Sequence, residues 1–272
     1  MQHSRAKRLI LASAVLAACI ALPACKPEEG IRPIQKPDAT SNLKHDETPA
    51  DKARPFMQLG QKYMEMQKYD LARENLLKAI KYAPQDPDAY TVLATLYDRV
   101  GDPQAAEENY RLAVQYAPKS GSANNNYGLY LCKRGKFDQS RKYFETALAD
   151  GFYSDKATVY TNAGTCQLLG KGSLDLAESD FRHALELAPN NAQALYQLAD
   201  VLYQKNDYFK ARAFIQRYES LGEQVNPEAL LLARNIEIKL GNNDAARDYT
   251  RRLRDQFPDS QQTRSLDASP SS

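Results

Sequence analysis

Four cysteines, Cys19, Cys25, Cys132 and Cys166, and three histidines, His3, His45 and His183, are the side chains of this 272-residue chain best suited to covalent or metal chemistry. Their spacing excludes most of it. The histidines are scattered, with no cysteine or carboxylate at ligand spacing, so no zinc site is expected. Cys132 and Cys166 fit either a disulfide in an oxidising compartment or two small residues in helical packing. The packing reading is the expectation. No phosphate-cradling loop, G-x-G-x-x-G, H-E-x-x-H or G-x-S-x-G occurs. Adjacent carboxylates such as Glu107-Glu108 lie on a helical face, where solvation explains them better than acid/base work. Asn124-Asn125-Asn126 is the most unusual local string. Asparagines are poor helix formers, and these suit either contact with a peptide backbone or capping of a helix. No catalysis, no small-molecule substrate and no metal are expected.

The first 25 residues, MQHSRAKRLILASAVLAACIALPAC, direct the remaining cysteines to a different chemistry. A basic start leads into an apolar run from Leu9 to Ala24, shorter than the ~20 residues of a membrane span. A charged start and a short apolar run ending in small residues make a secretory signal. The Ala-Cys ending resembles the lipobox of bacterial lipoproteins, whose cysteine thiol is diacylated and becomes the new N-terminus. Leu16-Ala17-Ala18-Cys19 matches that pattern fully. Leu22-Pro23-Ala24-Cys25 carries a proline but sits where the apolar run ends. Cys19 is the first candidate, Cys25 the alternative, and an uncleaved anchor the third reading. The resemblance implies a covalent diacylglycerol and an N-acyl chain, with no other cofactor. Because neither cysteine precedes Asp, it also points to the periplasmic face of the outer membrane. Residues 26–52, polar and with four prolines, read as a flexible tether. Residues 261–272 lack core residues and read as a disordered tail. The formal net charge of +2 falls to about −1 once Arg5, Lys7 and Arg8 of the signal are set aside (+2 minus 3). That leaves no basic surplus for phosphates, so no nucleic-acid partner is expected.

A fold must occupy the middle, and the sequence repeats there. Tyr82-Ala83-Pro84 recurs as Tyr116-Ala117-Pro118, and Leu187-Ala188-Pro189 is a near-copy. A 34-residue step gives six units: 53–86, 87–120, 121–154, 157–191, 192–225 and 227–260. Each holds two amphipathic segments and a short polar turn. A small residue recurs in the first segment (Gly60, Ala94, Gly128, Gly164, Ala199). Others recur early in the second (Ala72, Ala106, Ser140, Ala177, Ala211, Ala246) and later in it (Ala79, Ala113, Ala147, Ala184). Small residues facing large ones let two helices approach closely. Pro84, Pro118, Pro189 and Pro258 each stop a second helix, because proline lacks the amide hydrogen a helix interior needs. Asp86-Pro87, Asp102-Pro103 and Asn226-Pro227 read as helix starts. This resembles the tetratricopeptide pattern and implies an all-α fold, a right-handed solenoid of about six helix pairs over residues 53–260. Arg234 and Glu237, polar at usually buried positions of the last unit, fit a cap.

Such a solenoid lines its concave face with the first helix of each pair. The inward positions give Met57, Gln61 and Met64, then Thr91 and Thr95, then Asn125 and Leu129, and Tyr196 and Tyr203 further on. These are adaptable or amphipathic contact residues for a protein partner. With the signal, the tether and the string NNYGLYLCKRGKFDQSRKYFETAL, the chain resembles the type IV pilus biogenesis/stability proteins, the PilF/PilW-type outer-membrane pilotins. The resemblance implies a non-enzymatic helper that promotes outer-membrane localisation and multimer assembly of the pilus secretin, and through it fimbrial assembly and twitching motility. A lipoprotein adaptor for peptidoglycan enzymes or barrel assembly is the alternative.

Overall fold

The computed structural model describes residues 47–222 and 225–267. The signal, Cys19, Cys25 and most of the expected tether lie outside the described residues. Thirteen helices and no strand occur among the described residues. They form antiparallel pairs: α1 (Pro49–Glu65) with α2 (Tyr69–Tyr82), α3 (Pro87–Val100) with α4 (Pro103–Tyr116), α5 (Gly121–Lys133) with α6 (Phe137–Ala149). The pairing continues as α7 (Lys156–Leu169) with α8 (Leu174–Leu187), α9 (Ala192–Gln204) with α10 (Tyr208–Ser220), and α11 (Pro227–Lys239) with α12 (Asn243–Gln256). A short α13 (Gln261–Asp267) follows.

The recurrent small residues mark the closest approach within each pair. A Cβ on Gly60 would stand 2.7 Å from Leu76 Cγ, one on Gly128 2.9 Å from Phe144, and one on Gly164 2.8 Å from Phe181. Ala94, packed with Tyr110, and Ala199 are fully buried, as are Ala72, Ala106, Ser140, Ala177 and Ala211 on the partner helices. Helix starts are capped as their sequences require. Asp86 accepts from Asp88 N at 3.0 Å, Asp102 from Ala105 N at 3.0 Å, and Asn226 from Ala229 N at 2.8 Å.

Adjacent pairs are joined by a repeated bond at the turn and by ion pairs between helices. Tyr90 Oη donates to the Pro84 carbonyl at 3.0 Å. One repeat on, Asn124 Nδ2 donates to the Pro118 carbonyl at 3.1 Å and to Ser120 O at 2.8 Å. Asn124 therefore caps the turn, the local role that tyrosine fills in the preceding unit. Lys136 meets Glu107 at 2.6 Å, Arg141 meets Asp180 at 2.6 Å, and Arg252 meets Glu219 at 2.8 Å, each pair spanning two repeats. Burial pushes the Asp180 carboxyl up, and Arg141 opposes that shift.

Three expectations are corrected. Cys132 and Cys166 are not merely packed thiols: they form a disulfide between α5 and α7, with Cα atoms 5.8 Å apart. They lie 34 residues apart on the first helices of consecutive repeats, which stand side by side; Gly128 and Gly164 set the local step at 36 residues (164 minus 128), so the two cysteines sit two positions out of register, on facing sides of the two helices. Helix α1 begins at Pro49, inside the stretch assigned to the tether. Thr48 and Asp51 form a reciprocal capping box and Pro49 occupies the first turn, so the prolines start this helix rather than prevent it. The tail is helical through Asp267. Thr263 is buried against the last pair with its hydroxyl donated to the Phe257 carbonyl at 2.7 Å, and Gln262 reaches Glu228 at 2.9 Å. A satisfied threonine supplied the contact that the absence of large apolar residues seemed to deny. Glu237 is itself buried, accepting from Asn242 at 2.6 Å.

Candidate protein-binding groove

Helices α1, α3 and α5 are the first members of their pairs and lie side by side, so residues at matching turns converge. Gln61, Met64, Thr91 and Thr95 line one cleft of about 470 Å³ together with Glu65, Val92, Arg99 and Asn126. The last four were not among the expected lining. A signal was present for two of them: Glu65 and Arg99 follow Gln61 and Thr95 by four residues, the next position on the same helical face.

The side chains of this cleft are committed to different degrees. Gln61 is exposed and Thr91 and Thr95 are half-buried. Both threonine hydroxyls donate to their own helix, Thr91 to the Pro87 carbonyl and Thr95 to the Thr91 carbonyl, each at 2.9 Å. Thr95 also lies 3.1 Å from the Tyr110 hydroxyl. Tyr110 is itself stacked on Tyr127 and tilted against Tyr130, an aromatic backing that holds α3 against α4 and α5. Arg134 closes the next step, bonding Asp98 at 2.6 Å while lying 5.2 Å from the Tyr130 ring centre.

Several expected lining residues are packing residues instead. Met64 is 5% exposed, set among Ala72, Leu76, Leu93 and Leu96, and only its edge meets the cleft. Met57 is half-buried beside the same core. Asn125 is 6% exposed and accepts from Asn162 Nδ2 across α5 and α7 at 3.1 Å. Its neighbour Asn126 is the one that lines the cleft. Leu129 packs beside Cys132 and Phe144. Tyr196 and Tyr203 are on α9, apart from this cleft, half-buried and in contact with Tyr218 and Tyr208 respectively. Burial, with the nearby Asp200 and Glu228 charges, pushes the Tyr196 hydroxyl up to about 12.

Amides, hydroxyls, a thioether and the charged side chains of Glu65 and Arg99 on a concave face make a surface for holding another chain. The matching family models agree with that class. Models described as tetratricopeptide repeat match residues 120–190, 168–224, 87–120 and 229–260, and one described as TPR repeat matches 60–101. The protein is a tetratricopeptide-repeat solenoid, a scaffold for protein–protein interaction.

Its relatives narrow the class. The chain is 28% identical over 211 residues to the type IV pilus assembly protein PilF of Pseudomonas aeruginosa, covering 77% of this chain and 83% of that one. The solved structure of P. aeruginosa PilF superposes with a TM-score of 0.73 at 25% identity, over 81% of this chain and 98% of that chain. The crystal structure of PilW, a widely conserved type IV pilus biogenesis factor, gives a TM-score of 0.72 at 31% identity, over 79% of this chain and 97% of that chain. The chain belongs to the PilF/PilW family of type IV pilus tetratricopeptide-repeat proteins.

Proposed function

We propose that this protein is a non-enzymatic pilotin. It is anchored by acyl chains on Cys19, or alternatively Cys25, at the periplasmic face of the outer membrane. There it binds the type IV pilus secretin and promotes its localisation and multimer assembly. The observation that carries the reading is the near-complete overlap with PilW, a pilus biogenesis factor, at 31% identity. The concave cleft formed by Gln61, Thr91, Thr95 and Asn126 supports it by offering a site for a partner segment. The Cys132–Cys166 disulfide supports an oxidising compartment such as the periplasm. Anchoring and recognition reside in different segments. Three acyl chains hold the scaffold where one would not, and the raised local concentration favours ring formation.

Deleting the gene and separating inner from outer membranes tests the reading. Secretin multimers in the outer membrane fall, and surface pili and twitching are lost. Multimers normal in amount and location in the deletion strain would reject the pilotin reading and leave the adaptor for another periplasmic complex.

A further inference from the structure

In every repeat after the first, one side of the first helix is buried by the preceding pair. Leu93, Tyr127, Ala163, Leu198 and Ala233, each one residue before its unit's within-pair contact position, are all buried. So are Leu96 and Tyr130, three residues after the first two of these, and Ala89 and Ala123, four before them. The cover is a pair of helices: Leu93 and Leu96 cluster with Met64 of α1 and with Ala72 and Leu76 of α2. Helix α1 has no preceding pair among the described residues. Its corresponding residues are Pro55, Leu59 and Lys62, and all three are exposed, Leu59 to 42%. The far end of the solenoid is treated differently. Thr263 of α13, 34 residues after Ala229, takes the matching place on the last pair and is buried there. One end is closed by a short helix, and the other presents an apolar face of the kind that stacking covers elsewhere.

The exposed face has the form of a helix seam. Lys52, Pro55, Leu59, Lys62 and Met66, all exposed, follow one another at intervals of three, four, three and four residues, the spacing with which one helix meets a single other helix. The seam is turned away from Gln61 and Glu65, which line the cleft. Arg54 and Lys78 of the same pair are bonded to Asp51 and Glu74, whereas neither Lys52 nor Lys62 has a carboxylate partner among the described residues. A second copy of the chain does not suit the seam. From Lys52 to Lys62 the spacing reads the same in both directions, so a second α1, parallel or antiparallel, sets its two lysines against these two, and like charges repel. We propose that this seam docks one amphipathic helix of another protein, with apolar residues opposite Pro55 and Leu59 and carboxylates opposite Lys52 and Lys62. That helix carries Asp or Glu, two apolar residues, and Asp or Glu again at intervals of three, four and three. The seam and the cleft are separate surfaces, so the inference does not rest on the pilotin reading.

The test replaces Leu59 by a benzophenone-bearing amino acid in the full chain and irradiates intact host cells. The same probe at exposed Met66 repeats the measurement, and at exposed Leu77 of α2 it serves as control. Circular dichroism of each purified chain establishes that helix content is kept. The seam probes join a second protein, and peptide mapping places the adduct on a helix with the acidic and apolar spacing given above. Lys52→Glu with Lys62→Glu lowers the adduct yield at least fivefold, and exchanging the two carboxylates of the mapped helix for lysine restores it. An equal adduct from the Leu77 probe, an adduct with a second copy or within the chain itself, a mapped segment without that spacing, or no adduct overturns the proposal. So does a yield unchanged by reversing the two lysines.

Discussion

Removing the Cys132–Cys166 bridge tests how the concave face is held. The disulfide closes a loop of 34 residues that contains one full helix pair's worth of chain, from the end of α5 through α6 into α7. Loop-closure entropy for that length is about 13 cal/mol/K, or about 4 kcal/mol at room temperature. A change of 1 kcal/mol shifts the melting temperature of a domain this size by about 2–4 °C, so the bridge contributes on the order of 10 °C. Cys132 and Cys166 are both buried, next to Phe144 and Ala163, and the Ser140 hydroxyl lies 3.0 Å from the Cys166 sulfur. Cys132→Ala with Cys166→Ala therefore removes the cross-link without introducing a new polar group. Melting followed by circular dichroism, for the double variant and for wild type with and without reductant, reads the effect. The double variant and the reduced wild type melt together, well below the oxidised protein. A melt insensitive to reductant would show that the two sulfurs do not carry the junction between the third and fourth repeats.

Gly164→Leu forces a side chain where a Cβ alone stands 2.8 Å from the Phe181 ring, which is fully buried and cannot yield. It costs about 1–3 kcal/mol or more, and an unchanged melting temperature would remove Gly164 from the helix contact. Burial pushes the Tyr127 and Tyr196 hydroxyls up to about 12, and Tyr249 is raised too. The folded protein thus keeps protons that the unfolded chain releases near pH ~10. Stability is intact below that value and falls as pH rises toward 12. Tyrosinate absorbance titrated alongside helix content reads this, and tyrosines that all ionise near pH ~10 with helix intact would refute it. Labelling with a fatty-acid probe tags the wild-type protein and is lost in Cys19→Ser with Cys25→Ser; a double variant still labelled would end the lipoprotein proposal.

The period was legible because one physical demand, close approach of two helices, recurs along the chain and selects Gly, Ala or, at Ser140, serine in all but the last first helix, which carries Arg234. The groove was legible as a register but not as a surface. Met64 and Asn125 share the stripe with Gln61 and Thr91, yet Leu93 and Leu96 cover the first and Asn162 engages the second. Helical spacing gives direction within about a residue and says nothing of what the neighbouring helix covers, which is why Asn126 rather than Asn125 lines the cleft. The disulfide was not legible as a register. The step from Gly128 to Gly164 is 36 residues, so the 34-residue interval between Cys132 and Cys166 does not place them at one repeat position, and only the packing of α5 on α7 brings them together. Both ends of the solenoid were misread for a common reason. Capping by Thr48 with Asp51, and burial of Thr263, use polar atoms to do what apolar residues do elsewhere.

Capture of the cognate secretin from detergent-solubilised outer membranes tests the central claim most directly. The wild-type chain is compared with Gln61→Arg combined with Thr91→Arg, which places two long cations in the cleft of α1, α3 and α5 without touching Met64 or the disulfide. Circular dichroism and lipid labelling establish that the variant is folded and anchored. Wild type retains secretin and the variant loses at least tenfold, about 1.4 kcal/mol or more, because the bound segment must desolvate charges it cannot pair. Equal retention by the two proteins would contradict the assignment of that cleft as the secretin-binding site, and no retention by either would contradict the proposed partner.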